Sequence, residues 1–196
     1  DVGSGARRTV SAAPGINGAP SWSPDGRRLA FTLSKDGNPE IYALNLGSTT
    51  PVRLTSGGAI DTEPVWLPDG SIVFTSDRGG SPQLYRMAPG GGGAQRLTFE
   101  GDYNARPAVS PDGRTIAMVH RRGGRFHIAV LDLQNHQFRV LTAGGLDESP
   151  SFAPNGKMII YSNGQRLTAV SLDGSVKQDF ALRGNGRDPV WAPFAR

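Results

Sequence analysis

The chain has 196 residues, with 21 Lys and Arg against 17 Asp and Glu, which gives a net charge of +4. It contains no cysteine, which excludes a disulfide framework, a cysteine nucleophile and cysteine-based metal sites. No apolar run approaches the roughly 20 residues of a membrane-spanning helix, and the first residues lack the apolar core of a secretory signal. The basic residues are scattered, which argues against nucleic-acid binding. With 27 Gly and 15 Pro, the composition favours a turn-rich, all-β fold.

A seven-residue pattern recurs along the chain. Successive copies begin 44, 43 and 43 residues apart, and a shortened fifth copy follows after 39 residues. The copies are PSWSPDG (20–26), PVWLPDG (64–70), PAVSPDG (107–113), PSFAPNG (150–156) and PVWAPF (189–194). An internal repeat of this length is typical of the blades of a β-propeller.

Each repeat unit predicts four strands in the same order. The first strand is expected to begin at the leading proline, because a strand tolerates proline at its first residue. β-Branched and aromatic runs after the Pro-Asp-Gly turn predict second strands at residues 29–32, 72–75, 116–119 and 158–161. After glycine-containing turns, third strands are predicted at residues 41–46, 84–87, 128–133 and 167–172. The fourth strands are predicted at residues 52–55, 95–98, 139–142 and 180–182.

Four antiparallel strands in about 43 residues, with no helical segment between units, predict a β-propeller with four complete blades. The blades are expected at residues 20–63, 64–106, 107–149 and 150–188. Residues 1–19 are expected to hold an outer strand of an upstream blade, at residues 8–11, and residues 189–196 a closing inner strand. With partial blades at both ends, the chain is expected to be part of a larger ring. The repeated aromatic residues are expected to pack between blades; they are Trp22, Trp66, Phe152 and Trp191.

The loops that join each fourth strand to the next first strand share one face of such a meander. They contain seven acidic and two basic residues, so we expect an acidic face near the axis, with basic hairpins outside it. A simpler interpretation of these acidic residues is that they are solvated loop charges that bind no partner. A ring could also bring Asp61, Asp102 and Asp147 together as ligands for Ca²⁺, although the sequence has no calcium-loop motif.

The sequence favours binding over catalysis. It has no Gly-x-Ser-x-Gly nucleophile motif, and its three histidines occupy unrelated positions in the repeats. The glycine run at residues 90–93 precedes no Lys-Ser and opens no helix, so it is not a phosphate-binding loop. Asp25, Asp69 and Asp112 belong to the Pro-Asp-Gly turns, where their predicted role is backbone geometry.

Several segments within and between the repeats are characteristic. They are NGAP (17–20), TEP (62–64), FTSD (74–77), AQRLT (94–98), DESP (147–150), APNG (153–156) and WAPF (191–194). In this order they resemble segments of the TolB propeller family, the periplasmic component of the Tol-Pal envelope system. The resemblance implies a six-bladed propeller that follows an N-terminal α/β domain. It also implies binding of the lipoprotein Pal through the propeller and of TolA through the N-terminal part. This sequence has no counterpart of the α/β domain, so contact with TolA is not expected of it.

The family's Pal-facing loops correspond here to Asn17, Ala19, Asp61, Thr62 and Glu63. The acidic face adds a second group of candidate binding residues, Asp102, Asp147 and Glu148. Ile16 stands where relatives often carry a polar residue and is left out. The expectation is a non-enzymatic, periplasmic, Pal-binding propeller that supports outer-membrane integrity and cell division, with no cofactor required. The alternative is the gating propeller of a prolyl-oligopeptidase-like serine peptidase, which a hydrolase segment after residue 196 would favour.

Overall fold

Sixteen strands form four antiparallel sheets in a computed structural model that describes residues 3–7, 9–164, 166–181 and 186–191. The first sheet contains β1 (Asn17–Trp22), β2 (Arg28–Leu33), β3 (Glu40–Asn45) and β4 (Val52–Arg53). The second contains β5 (Asp61–Trp66), β6 (Ile72–Ser76), β7 (Gln83–Met87) and β8 (Gln95–Arg96). The third contains β9 (Tyr103–Val109), β10 (Thr115–Arg122), β11 (Arg125–Asp132) and β12 (Phe138–Val140). The fourth contains β13 (Glu148–Phe152), β14 (Met158–Ser162), β15 (Leu167–Ser171) and β16 (Lys177–Phe180).

Each sheet is a meander whose strands lie side by side in chain order, so the predicted all-β architecture with four four-stranded antiparallel sheets is confirmed. Among the residues that the structure describes, no helix is long and apolar enough to cross a membrane. The first strands of consecutive sheets contact one another, β1 with β5, β5 with β9 and β9 with β13. The first strand of each sheet is therefore the innermost, and the four inner strands surround a common axis.

The core lies between neighbouring sheets. Where two sheets face each other, the buried side chains of their second and third strands are mainly apolar. Ile41 of the first sheet packs in one cluster with Phe74 of the second, and Leu84 of the second packs with Met118 of the third. The inter-blade packing expected of the repeated aromatic residues holds for Trp66, which is buried. It is wrong for Trp22, 57% of which is exposed, because no described sheet covers that face of the first sheet.

The predicted strand starts at the leading prolines are wrong. The inner strands begin two to four residues earlier, and the residue before each proline has a positive φ of 47° to 57°. These residues are Ala19, Glu63, Arg106, Ser149 and Asp188. The ladder between each inner strand and the second strand is irregular at this point, so each proline of sheets one to four lies within a β-bulge. A bulge leaves one residue unpaired, which suits a residue that has no N–H to donate.

The ends of the described chain differ from the expectations. Residues 9–16 contain no strand, although an outer strand was expected at residues 8–11, of which residue 8 lies outside the described part. Of the closing strand expected at residues 189–196, residues 192–196 also lie outside it, and residues 189–191 are not in a strand. The backbone N–H of Trp191 nevertheless donates to Ser151 Oγ at 3.4 Å, as that of Trp66 donates to Ser21 Oγ at 3.3 Å.

The Pro-Asp-Gly turns confirm the geometric role of their aspartates. Asp25 Oδ1 accepts hydrogen bonds from the Ser23 hydroxyl at 2.6 Å and from the backbone N–H of Arg27 at 3.1 Å. Asp112 repeats the pattern with Ser110 and Arg114. These hydrogen bonds lower the pKa of Asp25, with the seryl hydroxyl contributing most. The turns lie at the end of the sheets opposite to the loops that connect one sheet with the next.

Candidate protein-binding face

The loops that connect consecutive sheets, at residues 54–60, 97–102 and 141–147, all lie on one face because each sheet is a four-stranded meander. We call it the junction face. Three threonines at the ends of the outer strands build the same contact in each loop. Their hydroxyls accept the backbone N–H of Ile41, Leu84 and Ile128, each at 2.9 Å; the threonines are Thr55, Thr98 and Thr142.

The inner strand of the following sheet is attached to the same place. The backbone N–H of Asp61 donates to the Pro39 carbonyl at 2.9 Å, and that of Asn104 donates to the Pro82 carbonyl at 2.8 Å. The backbone N–H of Asp147 donates to the Phe126 carbonyl at 3.2 Å. The threonine contact and this hydrogen bond together join one sheet to the next, and they explain why the inner strands begin before the prolines.

Two buried carboxylates lie at the junction of the first and second sheets. Glu40 accepts hydrogen bonds from the Thr55 hydroxyl and from Arg53 Nη2, each at 2.6 Å. Asp61, only 1% of which is exposed, accepts from Arg78 Nη2 at 2.8 Å. Arginine balances both charges, and both carboxylates lie beneath the surface.

The junction of the second and third sheets is uncharged. Gln83 Oε1 accepts hydrogen bonds from the Thr98 hydroxyl at 2.6 Å and from Asn104 Nδ2 at 2.8 Å. Asn104 Oδ1 lies 2.9 Å from Nδ1 of the buried His120. Burial is the main cause that lowers the pKa of His120, which favours the neutral ring.

The junction of the third and fourth sheets holds a carboxylate without an arginine. Asp147 is 2% exposed and accepts a hydrogen bond from the Thr142 hydroxyl. It forms no ion pair within 4.0 Å among the described residues. Burial raises the pKa of Asp147, and the hydrogen bond from the Thr142 hydroxyl, which lowers this pKa, has a smaller effect.

A polar network crosses the axis at the residues that precede the prolines. Arg106 Nη1 donates to Asp188 Oδ1 at 3.0 Å and to the Ser149 hydroxyl, and the backbone N–H of Arg106 donates to Glu63 Oε2 at 2.8 Å. The Arg106 guanidinium also lies 3.6 Å from Glu63. The Ser149 hydroxyl and Arg106 hold the pKa of Asp188 below its usual value. This network borders a cleft of about 820 Å³ between the inner strands.

This network was not predicted from the sequence, although Glu63 was among the candidate residues. The signal was present, since four of the five residues before the repeated prolines are polar. Their approach depends on the positive φ at each bulge, which turns these residues away from the regular alternation of the strand.

The other candidate residues occupy different environments. Asn17 and Ala19 are exposed on β1, and Thr62 and Glu148 are half-buried. Asp102 is exposed and pairs with Arg121 at 3.1 Å. The idea that the ring brings Asp61, Asp102 and Asp147 together as Ca²⁺ ligands is wrong, because each is bound within its own part of the fold. Within the described ranges, no three acidic or histidine side chains are grouped so that they could hold a metal ion.

Comparison with known proteins agrees with this architecture. A family model described as the TolB beta propeller domain matches residues 1–195. The chain belongs to the TolB β-propeller family. The Tol-Pal system protein TolB of Ruthia magnifica subsp. Calyptogena magnifica is 50% identical over 188 residues, which cover 93% of this chain and 44% of the relative. The corresponding protein of Thioalkalivibrio sulfidiphilus is 58% identical over 83 residues, or 39% of this chain and 19% of the relative.

Solved structures give the same result. The crystal structure of TolB from Acinetobacter baumannii matches with a TM-score of 0.91 and 44% identity, over 99% of this chain and 50% of that one. A puromycin-hydrolyzing peptidase from Mycobacterium tuberculosis matches with a TM-score of 0.71 at 19% identity, over 96% of this chain and 32% of that one, which shows a shared fold alone. This member of the TolB family therefore spans about half the length of its solved relative and less than half of the curated relatives named above.

Proposed function

We propose that this chain is the protein-binding propeller of a TolB-like periplasmic protein of the Tol-Pal system. It binds the lipoprotein Pal through the junction face, and it thereby supports outer-membrane integrity and cell division. The observation that carries the proposal is the network of Glu63, Arg106, Ser149 and Asp188 around the axial cleft. Hydrogen bonds and ion pairs across three inner strands hold these side chains in place before a partner arrives, which lowers the entropic cost of binding.

The candidate residues divide into two roles under this proposal. Asn17, Ala19, Thr62, Glu63 and Glu148 are wholly or partly accessible and contact the partner. Asp61 and Asp147 act indirectly, because their buried carboxylates fix the shape of the loops. Asp102 is exposed and contributes through its charge pair with Arg121.

A binding role without catalysis is supported by the ionisable groups of this face. The exposed carboxylates Asp102 and Asp188 both have lowered pKa values, caused mainly by hydrogen bonds from Arg121 and Ser149 respectively. A general acid or base at neutral pH requires the opposite shift. Asp147 has such a raised pKa, but only 2% of this residue is exposed, so it is not accessible to a substrate. His120 is buried and engaged with Asn104. The propeller therefore acts by recognition, and it requires no cofactor for that role.

The test is a calorimetric titration of purified, lipid-free Pal from the same organism against the wild type, Glu63→Lys and Glu63→Gln. Reversing the charge at Glu63 breaks the contacts with Thr75 and Arg106 as well as any contact with Pal. We expect Glu63→Lys to bind about a hundredfold more weakly. Glu63→Gln keeps an acceptor oxygen and should bind within about tenfold of the wild type.

Lys157→Glu is the matched control, since it reverses an exposed charge in a turn on the opposite face. It should leave the affinity unchanged. Circular dichroism of every variant confirms that the fold is intact. Equal affinities of the wild type and a folded Glu63→Lys would remove this surface from the proposal, and a wild type that does not bind Pal would refute the function itself.

A further inference from the structure

A second cavity, of about 440 Å³, opens on the junction face between the third and fourth sheets. One wall is formed by Tyr103 and Phe126, whose rings meet edge to face at 5.7 Å and 81°. Val119 is a buried part of the lining, and Leu146 lies at the rim with 66% of its surface exposed. Volumes of about 300–1,000 Å³ with a mainly apolar lining are typical of binding pockets.

The exposure of Leu146 is imposed by the backbone on either side of it. The N–H of Phe126 donates to the Gly145 carbonyl at 3.1 Å, and the N–H of Asp147 donates to the Phe126 carbonyl at 3.2 Å. These bonds fix residues 145 and 147 against β11, so Leu146 cannot turn inward without breaking them. Gly164 completes the arrangement, since a Cβ there would lie 3.4 Å from Leu146 Cδ1. The rim is therefore preformed.

Three charged side chains in the lining have no ion-pair partner among the described residues. Arg187 is exposed, Glu148 is half-buried, and Asp147 is buried against the Thr142 hydroxyl. Arg106 also reaches the cavity, but Glu63 and Asp188 balance its charge. Arg187 is thus the accessible cation, and a guanidinium binds a carboxylate with two parallel hydrogen bonds. Glu148 repels a carboxylate on its own side, so an incoming acidic group is directed to Arg187.

We propose that this cavity anchors a partner protein segment that inserts one apolar side chain of leucine or phenylalanine size and places a neighbouring carboxylate against Arg187. The inserted side chain packs between the rings of Tyr103 and Phe126 and the exposed Leu146. The inference rests on the proposed function only in assigning that segment to Pal. The cavity and its chemistry are independent of that assignment.

The first experiment does not require Pal. Methyl groups of the isotope-labelled protein are followed by NMR during titration with the capped dipeptides acetyl-Leu-Asp-amide, acetyl-Leu-Lys-amide and acetyl-Ala-Asp-amide. At millimolar concentrations, where small ligands of this kind bind, acetyl-Leu-Asp-amide should cause saturable shifts at Leu146 and Val119. The other two peptides should bind several-fold more weakly, and Leu46 on the opposite face should not respond. Absence of saturable shifts, or preference for the lysine peptide, would overturn the proposal.

The second experiment titrates lipid-free Pal against Leu146→Ala and Arg187→Glu. The matched controls are Leu46→Ala and Arg27→Glu, an exposed leucine and an exposed arginine on the opposite face. Each cavity variant should weaken binding about tenfold or more, as expected for anchor residues, and each control should match the wild type. Unchanged binding by both cavity variants would overturn the cavity proposal while the function stands. Dipeptide binding without Pal binding would leave the cavity proposal standing and refute the function.

Discussion

Removing the hydroxyl of Thr98 tests whether the threonine contacts hold the sheets together. Thr98 is 1% exposed, and its Oγ1 accepts the N–H of Leu84 at 2.9 Å and donates to Gln83 Oε1 at 2.6 Å. The Thr98→Val variant keeps the volume and the β-branch but loses both hydrogen bonds. Gln83 Oε1 retains its hydrogen bond from Asn104, whereas the buried N–H of Leu84 loses its partner.

The expected loss of stability follows from these two contacts. An unsatisfied buried donor costs about 1–3 kcal/mol, and the lost bond to Gln83 adds about 1 kcal/mol. The new methyl group offsets part of this, so we expect the free energy of unfolding to fall by about 2–3 kcal/mol. For a domain of this size, that lowers the melting temperature by about 5–10 °C.

Urea denaturation followed by circular dichroism measures the effect. Thr98→Ser keeps the hydroxyl and loses only a methyl group, so it should cost about 1 kcal/mol. Thr50→Val, in an exposed turn, should change stability by less than about 0.5 kcal/mol. If Thr98→Val is no less stable than Thr98→Ser, the hydroxyl does not hold the junction and the reasoning is refuted.

Two further predictions each compare a residue of a loop that joins two sheets with a residue of a turn within a sheet. Burial raises the pKa of Asp147 in the folded protein above its ordinary value of 3.8. Because ionising the buried carboxyl is then unfavourable, the free energy of unfolding falls as the pH rises above 3.8. Asp147→Asn should therefore increase stability at neutral pH, with a gain that disappears in acid. Asp173→Asn should decrease stability at neutral pH, because seryl hydroxyl and backbone hydrogen bonds lower the pKa of Asp173 to about 2. Urea titrations at several pH values measure both effects, and a stability change of the same sign for both variants at neutral pH would contradict this prediction. Gly101→Ala should lower the free energy of unfolding by more than about 2 kcal/mol, since φ is +73° and a Cβ would lie 2.3 Å from the His120 ring. Gly123→Ala has a similar φ of +58° but open space around the Cβ, so it should lower the free energy of unfolding by about 1 kcal/mol. Equal losses of stability in thermal melts would show that the contact with His120 is irrelevant.

The amino-acid sequence determines the repeated sheet because its signals are local. The β-branched and aromatic residues of β6, residues 72–75, and the Pro-Asp-Gly turn before them form a pattern that is recognisable within a few residues. The 43-residue period then requires each unit to repeat the same meander. The central strands could therefore be predicted to within a few residues, and the resemblance to TolB followed from segments that stand in the order of that family.

The candidate site depended on contacts between units, which no local pattern specifies. Asp61 and Asp147 occupy equivalent positions, yet Asp61 pairs with an arginine, whereas Asp147 has no ion-pair partner among the described residues. Glu63 and Arg106 stand 43 residues apart, and they meet only because consecutive inner strands share an axis. Whether a charge is buried, balanced or free to bind is determined by which sheet lies against it, and the same applies to Trp22. These properties arise from the stacking of the sheets, so only the tertiary structure decided them.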